Sequence, residues 1–182
     1  MSADTIGIVS NLESEPYQLV KKYWNLFERK FNSVAIQDYS HPHVSYQAAR
    51  THNIRKLKKE FEKIVTQIKP FEVEVNGIRH FNEKVIYLGV KKTTKLVKIH
   101  KLIHSFLEDN CHGLFKYYAP KIWIPHVTLA MDDLTKANFR KAWLELKDSK
   151  IRFKQNIHNI CMVKWYPGGK IKIAKRYELP SS

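Results

Sequence analysis

Two short strings, His43-Val44-Ser45 and His126-Val127-Thr128, stand at matching points of an apparent internal duplication, and they constrain the fold more than any other feature. Each is followed by a stretch of helical periodicity. Each is followed again, 27 or 28 residues after its histidine, by a strand-like run starting at Phe71 or near Phe153. Both halves then close with a hairpin pattern. Two copies are too few for a solenoid. The spacing therefore predicts two strand–helix–hairpin units packed side by side around a shared cleft. Helices would lie outside antiparallel sheets, an α+β fold.

The local patterns fill in this frame. Residues 6–10 read as a strand. Residues 16–31 read as a helix with Val20, Tyr23, Trp24, Phe27 and Phe31 on one face. Residues 43–48 predict a short strand and 54–68 a second helix. Phe71, Val73 and Val75 alternate with Glu72, Glu74 and Asn76, a half-buried strand, and 85–90 pair back across Asn82-Glu83-Lys84. A third helix is expected over 96–107, a strand over 123–130, and a fourth helix over 136–147, capped by Thr135 or an Asp before it. Residues 157–165 and 170–175 form a closing hairpin about Pro167-Gly168-Gly169.

On a strand, residues i and i+2 share a face. His43 therefore stands beside Ser45, and His126 beside Thr128. Two imidazoles and two hydroxyls meeting in one cleft suit phosphodiester chemistry without a metal. A neutral histidine takes a proton from the attacking hydroxyl or water, and a protonated one supplies the leaving oxygen. With an unperturbed pKa near 6.5, histidine offers both forms near neutrality. The hydroxyls donate to the non-bridging phosphoryl oxygens. No acidic cluster flanks either motif and no P-loop pattern occurs, so neither metal nor cofactor is expected.

His43-Val44-Ser45 and Pro125-His126-Val127-Thr128-Leu129 resemble the paired motifs of the two-histidine (2H) phosphoesterase superfamily, and within it the 2′-5′ RNA ligase-like and cyclic phosphodiesterase proteins. The likeness runs through the opening strand and helix, the hairpin with Gly77 and Phe81, and the closing hairpin. Tyr46 departs from it, standing where a smaller aliphatic residue is usual. The resemblance implies a bilobal, LigT-like α+β fold of pseudo-twofold symmetry with a central cleft, residues 1–182 forming one domain of two intertwined lobes. It also implies a metal-independent phosphodiesterase acting on 2′-5′ or 2′,3′-cyclic bonds of RNA or oligonucleotides, with reversible 2′-5′ ligation as a variant. His43 and His126 would be catalytic, and Ser45 and Thr128 would hold phosphate. The rival reading is an inactive module that holds RNA ends in the same basic cleft.

Charge agrees with a polyanionic partner: 32 Lys and Arg against 17 Asp and Glu give a net +15. His41 is a candidate at the cleft border. Tyr46, Trp165 and Tyr166 are candidate base-stacking contacts, whereas Trp123, out of phase with His126, is expected in the core. Lys91, Lys92, Lys95 and Lys98, and Lys164, Lys170, Lys172, Lys175 and Arg176, form basic runs expected on the surface. His100 and His104, four apart on a helix, read as surface or interface residues. No apolar run approaches the ~20 residues of a membrane span. With no leader pattern at the start and with Cys111 and Cys161 in no metal-type spacing, a monomer in the reducing cytoplasm is expected.

Overall fold

The computed structural model describes residues 3–180. In chain order they form β1 (Asp4–Asn11), α1 (Ser14–Phe31), β2 (His43–Thr51), α2 (Ile54–Val65), β3 (Phe71–Phe81) and β4 (Val85–Val90). Then follow α3 (Thr94–Asn110), β5 (His126–Ala130), α4 (Lys136–Leu146), β6 (Arg152–Ile157), β7 (Asn159–Trp165) and β8 (Ile171–Glu178). The helices bury the stripes that their periodicity announces: Val20, Trp24, Phe27 and Phe31 on α1, and Leu57, Phe61 and Val65 on α2. Side chains of Asn53, Thr93 and Thr135 cap α2, α3 and α4 by accepting from Lys56, Leu96 and Asn138 N–H groups. The second helix stops at Val65 rather than at residue 68, yet Ile68 still reaches the core through a tight turn. No helix among the described residues is long and apolar enough to cross a membrane.

Eight strands make two antiparallel sheets, ordered β2-β1-β7-β8 and β5-β4-β3-β6. This corrects the side-by-side arrangement. The strands matched by spacing, β3 and β6, are not equivalents but direct neighbours, with Val75 opposite Phe153. The counterpart of β3 is β7, each lying third from the strand that carries a histidine. Each half therefore gives two strands, its closing hairpin, to the sheet that carries the other half's histidine: β3 and β4 to the sheet of β5, and β7 and β8 to the sheet of β2. The helices cross over as well: α1 packs on β5 and α4, and α3 packs on β2 and α2. Spacing along the chain reports when a strand occurs, not which sheet closes over its apolar face.

The exchanged strand β7 is fastened to β1 by a buried polar network. Asn11 N–H donates to Asn159 Oδ1 at 2.9 Å, and Asn159 Nδ2 donates to the Asn11 carbonyl at 3.1 Å. The Ser10 hydroxyl donates to the Asn159 carbonyl at 2.8 Å, and the Tyr46 hydroxyl to Ser10 Oγ at 2.8 Å. Tyr39 donates to Asn11 Oδ1 at 2.8 Å. All five residues are buried, so an unmatched group here has no water to turn to. Asn159→Ala should therefore cost roughly 2–4 kcal/mol of stability, since it strands an N–H and a carbonyl. Urea unfolding of the variant beside the parent measures this.

Candidate active site

Both sheets offer their histidine at the first residue of an edge strand, and a proline sets that start. Pro42 and Pro125 have no N–H to give a ladder, but their carbonyls accept from Leu12 N at 2.8 Å and Val90 N at 3.1 Å. These bonds align Asn11 with His43 and Gly89 with His126. The residue before a proline is held extended. The carbonyls of His41 and Ile124 lie 2.8 and 2.7 Å from Nδ1 of His43 and His126. A carbonyl only accepts, so each Nδ1 carries the proton and each Nε2 is left for the cleft. The expected strand over 123–130 in fact begins at His126, because Trp123 closes a turn onto the Ala119 carbonyl at 2.9 Å.

Ser45 and Thr128 follow two residues on and share the faces of their histidines. Their backbone is held from the opposite half. The indole N–H of Trp123 donates to the Ser45 carbonyl at 3.0 Å, and that of Trp24 donates to the Thr128 carbonyl at 3.0 Å. Both indoles are 1% exposed. The Tyr118 phenol lies against the Ser45 side chain, which partly offsets the upward push of burial on that phenol.

Burial pushes the His43 pKa down to about 4, with positive charge on His126 and His41 adding to it and the His41 carbonyl opposing. Burial lowers His126 too, against the pull of the Ile124 carbonyl. Rings fix both imidazoles: Tyr39 stands edge-on to His43 at 5.0 Å, and Phe81 edge-on to His126 at 5.2 Å. The Phe81 ring stacks on Tyr87 at 4.1 Å, and Tyr87 is 5.1 Å from His126. Among the described residues no three His, Cys, Asp or Glu side chains gather as metal ligands would.

The other sequence candidates divide. His41 lies in the loop before β2 rather than on the strand, but it packs on Tyr39 at 5.4 Å, beside His43. Trp165 stays on the cleft side: its ring lies 3.0 Å from where a Cβ on Gly7 would stand, among Val163 and Ile171. Tyr46 is corrected to the core. One residue on from Ser45, it faces the opposite side of β2 from His43 and Ser45, and it is fully buried on Ser10. Tyr166 is exposed but lies on the other side of its hairpin from Trp165, under the ammonium groups of Lys164 and Lys172 at 5.2 and 5.7 Å. Trp123 is in the core as expected, but by stacking on His100 at 3.9 Å rather than by strand parity. His100 is accordingly not a surface residue: it is 1% exposed and bonded to the Tyr118 carbonyl at 2.9 Å. Sequence reasoning missed Tyr39, Tyr87, Tyr118 and Arg79. Only the apolar run of β4 carried a signal, and for Tyr87 alone.

The sequence profile of the family described as the 2′-5′ RNA ligase superfamily matches residues 18–169. No curated protein matches the chain. Among solved structures, the chain is similar to E. coli LigT complexed with 3′-AMP, at 12% identity and a TM-score of 0.66, over 99% of this chain and 100% of that one. It is similar to TT0787 of Thermus thermophilus, at 12% identity and a TM-score of 0.67, over 98% and 99%. A third, described as a phosphoesterase, gives 13% identity and a TM-score of 0.64 over 99% and 100%. These likenesses establish the shared fold.

Two outcomes follow from this geometry. Trp123→Phe keeps a ring but leaves the Ser45 carbonyl unmet, and should cost about 1–3 kcal/mol in urea unfolding. His100, held at about 4 when folded against an unperturbed 6.5, contributes stability that is whole above about pH 6.5 and lost as pH falls toward 4. His100→Gln should flatten the fall of unfolding free energy across that window, measured by denaturant titration at a series of pH values.

Proposed function

The chain belongs to the 2′-5′ RNA ligase superfamily, and we propose that it is a metal-independent phosphodiesterase of RNA or oligonucleotide ends, acting on 2′,3′-cyclic or 2′-5′ linkages. The observation that carries this is the matched setting of His43 and His126. Each is locked by Nδ1–H to the carbonyl two residues upstream, each has Nε2 free, and each stands beside a hydroxyl.

In the hydrolysis of a cyclic phosphate, one neutral imidazole takes a proton from water at Nε2 as the water oxygen attacks phosphorus. The other imidazolium gives its Nε2 proton to the departing ribose oxygen. Ser45 and Thr128 donate to the two non-bridging oxygens as charge gathers there. Burial disfavours the charged form of both imidazoles. A bound phosphodiester anion between them favours the charged form of one and so prepares the acid.

Other features support the reading. E. coli LigT has been seen with 3′-AMP, a nucleotide that ends in a phosphate. The net charge of +15 draws polyanions to the surface. Both cysteines are unpaired, which fits a reducing, cytoplasmic setting. Trp165 is the base-stacking platform of this scheme.

His43→Ala and His126→Ala should each lower turnover roughly 10²-fold or more while the fold stays intact. The acid limb of the kcat/KM profile should lie below pH 6.5, because both imidazoles are lowered in the free protein. The assay is product analysis, in EDTA, of a nucleoside 2′,3′-cyclic phosphate, a 2′-5′ oligoadenylate and a 3′-5′ oligonucleotide. Near-parental activity in both variants refutes the assignment. Tight binding of these ligands without turnover favours instead a module that holds RNA ends.

A further inference from the structure

The two halves match in backbone but not in what lines the cleft. Val9 and Tyr87 are equivalent, opposite Ser45 and Thr128. One strand further out, Cys161 faces Val9 and Arg79 faces Tyr87. On the first sheet this floor is sealed: Val9 and Cys161 are 3% and 0% exposed in one apolar cluster with Tyr39. The side-chain amide of Asn11, beside His43, is taken up on this sheet: its Oδ1 accepts from the Tyr39 hydroxyl and its Nδ2 donates to Cys161 Sγ at 3.5 Å. On the second sheet Tyr87 is as buried as Val9, but the outer position is held by the exposed, charged Arg79 where the first sheet has the buried Cys161.

There Gly89 replaces Asn11 as the partner of the histidine, and its bare backbone makes a seat. A Cβ on Gly89 would stand 2.9 Å from Nε of Arg79 and 3.2 Å from its Cδ and Cζ. The guanidinium therefore lies on the same face as His126, about one strand spacing (~4.8 Å) out from the histidine's own strand. The β3 bulge at Gly77 (φ 73°) brings Arg79 to this side, after Val75 and Ile78 have both faced the core. Arg79 is exposed and has no carboxylate partner among the described residues, whereas Arg152 is paired with Glu74, and Arg176 with Glu13 and Glu178. It is near enough to Tyr87 to oppose the effect of burial on that phenol.

We propose that Arg79 forms a subsite for the phosphate that neighbours the scissile one, so that the preferred substrate is an oligonucleotide end carrying a further phosphate and not a nucleoside cyclic monophosphate. The proposal rests on the functional reading above and adds to it the reach and direction of the substrate. A guanidinium suits a phosphate because its planar fork can meet two oxygens at once. With the first sheet sealed beside His43, the chain beyond the scissile bond runs over the second sheet, past His126 and onto Arg79. Phe81, half-buried on Tyr87, borders that path.

The test compares kcat/KM for a nucleoside 2′,3′-cyclic phosphate and for a dinucleotide ending in the same cyclic phosphate, in the parent, Arg79→Gln and Arg79→Lys. The parent should favour the dinucleotide. Arg79→Gln should lower its kcat/KM roughly 10- to 100-fold more than that of the mononucleotide, chiefly through KM, and Arg79→Lys should recover part of it. Equal losses on both substrates, or no loss, overturn the subsite. Turnover of neither substrate by the parent defeats the functional reading instead. The subsite is then judged by calorimetric binding of the two ligands: a dinucleotide affinity that Arg79→Gln leaves intact overturns it, and a selective loss upholds it.

Discussion

Two indole N–H groups hold this molecule's cleft in register, and each reaches across the duplication to do so. Trp24, on the first helix, donates to the carbonyl of Thr128, and Trp123, just before the second motif, donates to the carbonyl of Ser45. An edge strand has one row of unpaired backbone groups. Here β2 and β5 are both edges, and their outer carbonyls at Ser45 and Thr128 are met by the other half's tryptophan. Buried carbonyls without a donor are costly, so neither half completes its own motif strand. The exchange of the β3–β4 and β7–β8 hairpins and the crossing of α1 and α3 follow the same logic. Each half closes the other, and the two histidines are fixed relative to one another by a single continuous core.

That rigidity bears on the electrostatics. The chain carries a net charge of +15, yet burial disfavours the charged form of both imidazoles at its centre, and positive charge on His126 or His41 weighs further against charging His43. A cleft that resists a proton when empty and favours one beside an anion suits acid–base work on a phosphodiester. The energy for charging the acid comes from the ligand itself. The Nδ1 bonds to the His41 and Ile124 carbonyls limit the rings to one tautomer, so the proton enters and leaves only at Nε2.

Much of the fold was legible because its signals are local. The stripe of Val20, Trp24, Phe27 and Phe31, the cap at Thr135 and the alternation of Phe71, Val73 and Val75 all depend on period and on neighbouring residues. The paired motifs were legible because the same triplet of residue types occurred twice. What failed was non-local. Matched spacing paired β3 with β6, which are neighbours, since the choice of sheet is decided by packing and not by loop length. Tyr46 was misjudged because its partner, the Ser10 hydroxyl, comes from a neighbouring strand and draws it into the core, and His100 because it stacks on Trp123 from a separate element. Arg79 gave no local signal. Its meaning depends on Gly89, ten residues on and across a hairpin.

A backbone of near-twofold symmetry with two equivalent histidines has no intrinsic direction. Water and leaving group can exchange sides, and His43 and His126 can exchange roles, with little change in protein geometry. Direction must then come from side chains that break the symmetry, and these lie outside the motifs. The first sheet is closed over Val9 and Cys161 by Tyr39; the second is covered over Gly89 by the exposed guanidinium of Arg79, which has no carboxylate partner among the described residues. A substrate that extends from the scissile phosphate has one polar path and one apolar wall, so its leaving and attacking oxygens are assigned to particular histidines before any proton moves. The motifs that identify the chemistry are symmetric, and the residues that orient it are not.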